Sequence, residues 1–384
     1  MLSNTAPRFT LKNKSLLPIV QGGMGVGVSA HRLAGSVAAL GAMGTIASVD
    51  LRRHHPDLMA DTGRDRARIN AANLRALDRE IGLAHQLAQG RGMIAVNVMR
   101  AVSDYPALVR QACASGAEAL VVGAGLPLDL PELSAGYPDV ALVPVLSDVR
   151  GIATLLKKWM RRQRLPDAIV IEHPRYAAGH LGASDLAGVS DARFDFAVVL
   201  EGVQALLREL GIERERIALI VAGGVHAPAQ VAALLALGAS AVQLGTPFAV
   251  SVEGDASEAF KRVLLDAGPA DTVVFMSAAG LPARAVRTPW LMRYLDKEQR
   301  LQGKARAKPC TVGFDCLQQC GWRDGNARAG QFCIDTQLAF ALQGDRQRGL
   351  FFRGSEALPF GAVMRPVREL IDYMLNGVAP ALAR

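Results

Sequence analysis

Residues 168–182 read AIVIEHPRYAAGHLG, an apolar run that leads into a loop where His180 stands between two glycines. The run predicts a buried β-strand, because strands of a covered parallel sheet are continuously apolar. In parallel α/β proteins the catalytic groups lie at the carboxyl ends of the strands. An imidazole placed there titrates near neutral pH and suits acid–base chemistry. By itself the segment also fits a flexible loop with an incidental histidine.

Seven further apolar runs alternate with longer amphipathic segments. The eight runs lie at residues 18–21, 44–48, 93–97, 119–123, 141–146, 168–171, 217–222 and 241–245. Helical patterns between them include residues 105–115, 149–162, 196–210 and 227–237. Eight β–α units predict an α/β fold, a (β/α)8 TIM barrel. A doubly wound open sheet is the alternative, but the turn after the first run lacks its G-x-G-x-x-G spacing.

The amino-acid composition limits the classes of protein to which the chain can belong. Half of the 384 residues are hydrophobic, 5% are aromatic and 38 are glycine, which predicts a large aliphatic core. No apolar run approaches the roughly 20 residues of a membrane span, and residues 1–8 resemble no secretory signal, so we expect a cytoplasmic protein without a membrane partner. The net charge of +8 is spread along the chain, which favours a solvated basic surface over nucleic-acid binding.

The alternating pattern stops near residue 270. We predict a barrel over residues 1–290 and a C-terminal helical, cysteine-rich extension over 291–384 that packs on it. Residues 287–306 and 363–375 show helical patterns. An insert at residues 51–68 exceeds the usual two to six residues of a βα loop. It is either a lid, through which His54 or His55 could touch substrate, or a plain surface extension.

Four of the five cysteines are clustered in the predicted extension: Cys310, Cys316, Cys320 and Cys333. In a cytosolic protein such clustering indicates metal or redox chemistry more than structural disulfides. Four thiolates could hold an iron–sulfur cluster or zinc. The spacing contains no Cys-x-x-Cys pair, so buried free thiols that pack as small hydrophobic side chains are the alternative. Cys113 lies in a helical pattern and is predicted to be a core residue.

Glycine and polar residues follow several predicted strands. QGGMG at 21–25 follows the first strand, Asn97 the third, AGGV at 222–225 the seventh and GTPF at 245–248 the eighth. Loops after strands seven and eight of such barrels commonly bind phosphate through backbone N–H groups. The sequence therefore predicts a phosphate-bearing ligand at the mouth of the barrel.

Together these motifs resemble the nitronate monooxygenase family, formerly called 2-nitropropane dioxygenase, which is related to flavin-dependent enoyl-acyl-carrier-protein reductases. The resemblance covers about residues 16–290 and includes MSAAGLPAR at 276–284. It implies an FMN-dependent oxidoreductase that oxidises alkyl nitronates with O2. The sequence departs from the family at Ala178, where the family has glycine, and at residues 172–176, which face substrate.

The resemblance also implies residue roles. His180 would be the catalytic acid or base, holding an anionic nitronate when protonated or hydrogen-bonded, or taking the α-proton of a neutral nitroalkane. The isoalloxazine would be lined by Gln21, Gly22, Gly23, Met24 and Asn97. The remaining cofactor-binding residues, which include those for the FMN tail and phosphate, would be Gly179, Ala222, Gly223, Gly224, Gly245 and Thr246. His173 is a weaker candidate.

Two other functions remain open. The first is an NAD(P)H-dependent flavin reductase that acts on a quinone or an enoyl thioester with the same scaffold. The second is a barrel that has lost catalysis and uses its basic, cysteine-rich extension to bind a metal and a nucleic-acid or protein partner. Flavin binding would distinguish this non-catalytic barrel from both the nitronate monooxygenase and the flavin reductase.

Overall fold

The computed structural model describes residues 7–60 and 62–378. In chain order the strands are β1 (Phe9–Leu11), β2 (Lys14–Leu16), β3 (Ile19–Gln21), β4 (Met43–Ala47), β5 (Met93–Met99), β6 (Ala119–Gly123), β7 (Ala141–Leu146), β8 (Ala168–Glu172), β9 (Gly179–His180), β10 (Ala218–Ala222), β11 (Ala241–Leu244), β12 (Thr272–Met276) and β13 (Pro282–Val286). The prediction about a secretory signal concerns residues 1–8, of which 1–6 lie outside the described residues.

The helices surround these strands or follow them. In chain order they are α1 (His31–Ala39), α2 (Pro56–Ala60), α3 (Arg66–Ala88), α4 (Tyr105–Ala114), α5 (Leu130–Leu133), α6 (Val149–Met160), α7 (Phe196–Glu209), α8 (Pro228–Ala236), α9 (Thr246–Ala249), α10 (Glu258–Asp266), α11 (Pro289–Leu295), α12 (Glu298–Gly303), α13 (Gly321–Asp324), α14 (Ile334–Leu342) and α15 (Val367–Asn376). Short 3₁₀ helices occur at Leu51–His54, Ala187–Ser190, Ala192–Phe194, Arg214–Arg216 and Pro269–Asp271.

Eight parallel strands form a closed barrel in the order β3, β4, β5, β6, β7, β8, β10 and β11, and β11 pairs with β3 to close it. Each of the eight predicted apolar runs coincides with one of these strands to within two residues. The predicted TIM barrel is therefore confirmed. The open-sheet alternative is excluded, because both edge strands of such a sheet would lack the closing pair.

The barrel strands carry apolar side chains on both faces, as a buried parallel sheet requires. Along β5, for example, Ala95 packs inside the barrel whereas Val96 packs outward against the helices. The hairpin of β1 and β2 places Phe9, Leu11 and Leu16 in the inner cluster. Because the interior is filled with side chains, a ligand can bind only at an end of the barrel.

The last helix, α15, belongs to the helical layer of the barrel. It packs against α8 and α1, and its buried residues Val367, Leu370, Ile371 and Met374 join the main core. The chain between α9 and α15 therefore makes an excursion and returns to the barrel. The division near residue 290 stays a prediction, and the residues beyond it contribute both to the excursion and to the barrel core.

A small antiparallel sheet joins this excursion to the barrel loop that follows β8. β12 and β13 form a hairpin, and the two-residue strand β9 pairs with β13, so that Ala283 lies opposite His180 and Arg284 opposite Gly179. β9 has only two residues and lies far from β13 in the chain, so local periodicity could not reveal their pairing.

The insert at residues 51–68 is packed rather than open. The Arg53 guanidinium lies 2.6 Å from Asp335 Oδ2 on α14, and Arg52 Nη1 donates to Thr62 Oγ1 at 2.8 Å. Nε2 of His54 lies 2.9 Å from the Gly27 carbonyl oxygen, and Nε2 of His55 lies 2.9 Å from Glu80 Oε1. Both rings have these neighbours, and the suggestion that either histidine touches substrate stays a prediction.

None of the helices in the described part of the chain is long and apolar enough to cross a bilayer. The longest, α3, spans 23 residues but is strongly charged along its length. A cytoplasmic location stays a prediction.

Candidate functional site

Two adjoining cavities open at the carboxyl ends of the barrel strands. The first, of about 140 Å³, we call the glycine cavity, because Gly22, Gly23, Gly223, Gly224 and Gly245 line it. The second, of about 240 Å³, we call the apolar cavity, since most of its wall is aliphatic or aromatic. Its lining includes Val26, Val28, Val49, Met99, Phe260, Leu264, Leu338 and Phe352. Met24, Glu172 and Gln243 line both cavities, so the two form one cleft.

The structure brings nearly all predicted site residues to this cleft. Met24, Ala222 and Thr246 line the glycine cavity with the five glycines. Asn97, Gly179 and His180 line the apolar cavity. Gln21 is the exception: its side chain accepts a hydrogen bond from Thr45 N at 2.8 Å and donates one to Thr45 O at 3.1 Å. Gln21 therefore joins β3 to β4 and lines neither cavity.

Two glycines show why the cleft needs residues without a side chain. A Cβ at Gly23 would lie 2.3 Å from Asn97 Cβ. Gly224 has a φ of +79°, and a Cβ there would lie 2.9 Å from the Tyr176 side chain. Only glycine combines such a backbone conformation with so close an approach. The backbone on this side of the cleft is consequently bare, which lets a ligand contact its N–H groups directly.

The small sheet positions His180. The residue lies on β9 opposite Ala283, and Arg284 Nη1 on β13 donates to the Ala177 carbonyl oxygen at 2.6 Å. The ring of Phe352 lies 6.1 Å from the His180 ring, centroid to centroid. The family-like segment 276–284 thus holds the histidine loop in place through backbone pairing and a buried guanidinium.

His180 is neutral at physiological pH. Burial lowers its pKa to about 4, because the apolar surroundings disfavour the charged ring. Its Nε2 atom is buried and has no hydrogen-bond partner among the described residues. A buried polar atom without a partner is costly unless a ligand or water satisfies it. This ring can therefore donate or accept a hydrogen bond to a molecule in the apolar cavity.

Sequence reasoning assigned no role to Glu172, which ends β8 and lines both cavities. Burial raises the pKa of this carboxyl to about 7. Burial thus moves the pKa of His180 and that of Glu172 in opposite directions, since in each case it disfavours the charged form. The available signal was the position of an acidic residue directly after the apolar run 168–171.

Sequence reasoning assigned no role to Gln243 either. It lies on β11, lines both cavities, and its Oε1 atom is buried without a hydrogen-bond partner among the described residues. A polar side chain within the apolar strand AVQL was the signal that could have revealed it. Like His180 Nε2, this buried oxygen is costly unless a ligand or a water molecule forms a hydrogen bond with it.

His173 is a structural residue of the same loop. Its Nδ1 atom accepts a hydrogen bond from Arg175 N at 3.2 Å, and its Nε2 lies 3.3 Å from Asp195 Oδ1. The ring packs against Tyr176 and Phe196. His173 lines neither cavity, so its contacts stabilise the turn that precedes His180.

The four clustered cysteines lie together beside the cleft. Cys310, Cys316, Cys320 and Cys333 are all free thiols and line one small cavity, which we call the thiol cavity. Cys316 also lines the apolar cavity. Burial raises the pKa of Cys316 well above its usual value, and the neighbouring acidic groups and thiols add to the shift. Within residues 7–60 and 62–378, no group of three or more His, Cys, Asp or Glu side chains is placed to hold a metal ion.

Comparisons with known proteins agree with this geometry. Residues 8–377 match the nitronate monooxygenase family model. A probable nitronate monooxygenase from Staphylococcus saprophyticus is 26% identical over 176 residues, which cover 45% of this chain and 47% of that protein. A (3aS,4S,5R,7aS)-5-hydroxy-7a-methyl-1-oxo-octahydro-1H-indene-4-carboxyl-CoA dehydrogenase from Mycobacterium tuberculosis is 36% identical over 107 residues, 28% of this chain and 30% of that protein.

Similarity in structure extends over more of the chain. FabK from Thermotoga maritima superposes with a TM-score of 0.63 at 23% identity, and the match covers 93% of this chain and 91% of that one. At this identity the likeness concerns the fold alone. The chain spans less than half the length of each of the two curated relatives described above.

The contact between Arg284 and Ala177 yields a test of how the histidine loop is held. Replacing Arg284 by Met removes the hydrogen bond to the Ala177 carbonyl, so the loop should open more readily. A buried hydrogen bond contributes about 1–3 kcal/mol when its loss leaves one partner unsatisfied. We expect amide exchange at residues 179–181 to become roughly 5- to 100-fold faster, as measured by hydrogen–deuterium exchange with mass spectrometry.

The matched control is Arg287→Met, which changes an exposed arginine just after the same strand. Unchanged exchange at residues 179–181 in the Arg284 variant, or an equal increase in both variants, would show that the guanidinium does not hold the loop.

Proposed function

The chain belongs to the nitronate monooxygenase family, and we propose that it is a flavin-dependent oxidoreductase that binds FMN in the cleft formed by the glycine and apolar cavities. The observation that carries this proposal is the convergence of the family's glycines and His180 on that one cleft. The proposed physiological reaction is oxidation of an alkyl nitronate with O2.

The residues of the cleft fit FMN in two respects. The bare backbone at Gly223, Gly224 and Gly245 suits a phosphate, which accepts hydrogen bonds from N–H groups. The unsatisfied Oε1 atom of Gln243 suits the ring N–H of an isoalloxazine, and Gly22 and Gly23 leave room for a flat ring. When bound, the flavin supplies electron transfer and the reaction with oxygen.

The polypeptide supplies orientation and proton handling. A neutral His180 can take the α-proton of a nitroalkane or donate a hydrogen bond to the oxygen of a nitronate. Its low pKa argues against an ion pair between imidazolium and nitronate at neutral pH. The aliphatic wall of the apolar cavity excludes water, which strengthens the hydrogen bond that the ring makes.

One observation favours a second candidate, the reduction of a quinone or an enoyl thioester by NAD(P)H. The apolar cavity is larger than a small nitronate requires, and its wall continues to Phe260, Leu264 and Leu338. An elongated apolar substrate would bury more of this surface. The similarity to a mycobacterial dehydrogenase of a CoA thioester points in the same direction.

Anaerobic reduction distinguishes these functions. The purified protein should show the paired absorption bands of an oxidised flavin, and a nitronate added without oxygen should bleach them faster than NADH or NADPH does. Bleaching by NAD(P)H alone would favour the reductase. A colourless protein that cannot be reconstituted with FMN would contradict both and favour the non-catalytic barrel.

Removal of the His180 ring tests its role in proton transfer. His180→Ala should keep the flavin spectrum, because the ring lies in the apolar cavity away from the phosphate-binding glycines. Turnover should fall by roughly 10²- to 10⁴-fold, the usual contribution of a positioned acid or base. His85→Ala, which changes a histidine on the outer helix α3, is the control. Near-normal turnover in the His180 variant would remove this residue from the mechanism.

Glu172 should make nitronate binding depend on pH. Its raised pKa of about 7 means that the carboxyl is neutral below pH 7 and charged above it. A carboxylate in the cleft repels an anionic substrate, so KM for a preformed nitronate should rise as the pH increases through about 7. Glu172→Gln mimics the neutral acid and should abolish this rise, as steady-state rates across the pH range would show. An identical pH profile in both proteins would contradict the assignment.

A further inference from the structure

The thiol cavity lies outside the FMN cleft and has a composition of its own. Besides the four cysteines, its wall is formed by Leu317, Trp322 and Ile334 and by the polar residues Thr311, Asp315 and Arg323. The thiols come from a single loop region and from the residue before α14, yet all four reach the same space. Four sulfur atoms that line one cavity are a donor set for a soft metal centre.

The loop that carries these thiols is fixed to the barrel. Ser103 N donates to the Cys316 carbonyl at 3.1 Å, and Gln318 N donates to the Ala101 carbonyl at 2.9 Å. Val102 and Leu317 form an isolated β-bridge. These bonds attach the loop to the segment that follows β5. The thiols are therefore held in position by backbone contacts, which distinguishes them from free thiols in a loose flap.

Hydrogen-bond donors contact two of the sulfur atoms, and the Thr336 donor partly offsets the burial that raises the pKa of the Cys333 thiol. Thr336 Oγ1 donates to Cys333 Sγ at 3.1 Å, and Arg323 N donates to Cys320 Sγ at 3.5 Å. The Arg323 guanidinium also lines the cavity and donates to the carbonyls of Leu317 and Gln318. Donors of this kind stabilise negative charge on sulfur and tune metal centres that thiolates hold.

The described residues do not form a single-ion site, and a cluster is the alternative that four thiols offer. A tetrahedral zinc site requires each sulfur about 2.3 Å from one point, and the described residues contain no such convergence. Instead the thiols surround an open space that admits a water-sized sphere. A cubane of iron and sulfide fills the space between its ligands, so its four thiolates stand further apart than those of a single ion.

We propose that the thiol cavity binds a [4Fe–4S] cluster ligated by Cys310, Cys316, Cys320 and Cys333. Because Cys316 lines the apolar cavity as well, this ligand forms part of the wall between the cluster and the substrate cleft. The proposal depends only on the thiol cavity and stands whether or not the cleft binds FMN.

Metal analysis of the full chain tests whether the thiol cavity binds this cluster. Protein purified without oxygen, and reconstituted with iron and sulfide if needed, should contain about four iron and about four sulfide atoms per chain. It should also give a paramagnetic resonance signal after reduction with dithionite. Cys316→Ser and Cys320→Ser should lose iron and sulfide, whereas Cys113→Ser, a buried cysteine of α4 outside the cavity, should keep both.

Three results would overturn the proposal, and none requires the variants to fold. The first is wild-type protein that holds about one zinc per chain and no iron after reconstitution. The second is wild-type protein without any metal, in which all of the thiols can be titrated. The third is a disulfide between two of the four cysteines in protein handled without oxygen. Flavin content, measured on the same samples, reports separately on the proposed function.

Discussion

The hydrogen bonds between β11 and β3 close the barrel, and the rest of the structure depends on this closure. Val242 lies opposite Ile19 and Leu244 opposite Gln21, although more than 200 residues separate them in the chain. Closure satisfies backbone groups that an open edge would leave unpaired. It also brings the glycines after β3 beside those after β10 and β11. The cleft combines residues that follow the first barrel strand with residues that follow the last two barrel strands. It exists only because the sheet is closed.

The mouth of the barrel is covered by the excursion between α9 and α15, and this cover gives the cleft its electrostatic character. Residues such as Phe352, Leu338 and Leu350 belong to the excursion and line the apolar cavity. Their burial of His180 and Glu172 keeps the imidazole neutral and brings the carboxyl close to half-ionised at neutral pH. One physical cause, the cost of burying charge, thus shifts both pKa values toward the neutral form of each group.

The same excursion places the thiol cavity next to the substrate cleft. Its cysteine loop is attached to the barrel after β5, while the sheet of β9, β12 and β13 holds His180. Both features use backbone pairing between the excursion and the loops of the barrel. The C-terminal region therefore lines the cleft, and α15 returns the chain to the barrel core.

The sequence by itself determined the barrel, because its eight strands are continuous apolar runs whose periodicity is a local property. It also placed most of the glycines and His180 correctly, since strand ends of a known fold lie at the mouth. Only the tertiary structure decided the use of Gln21 as a link to Thr45, the packing of His54 and His55, and the exposure of Gln243 to the cleft. Likewise, only the fold shows that Cys333 reaches the other three thiols. These features depend on contacts between residues distant in the chain, and hydrophobic periodicity carries no information about such contacts.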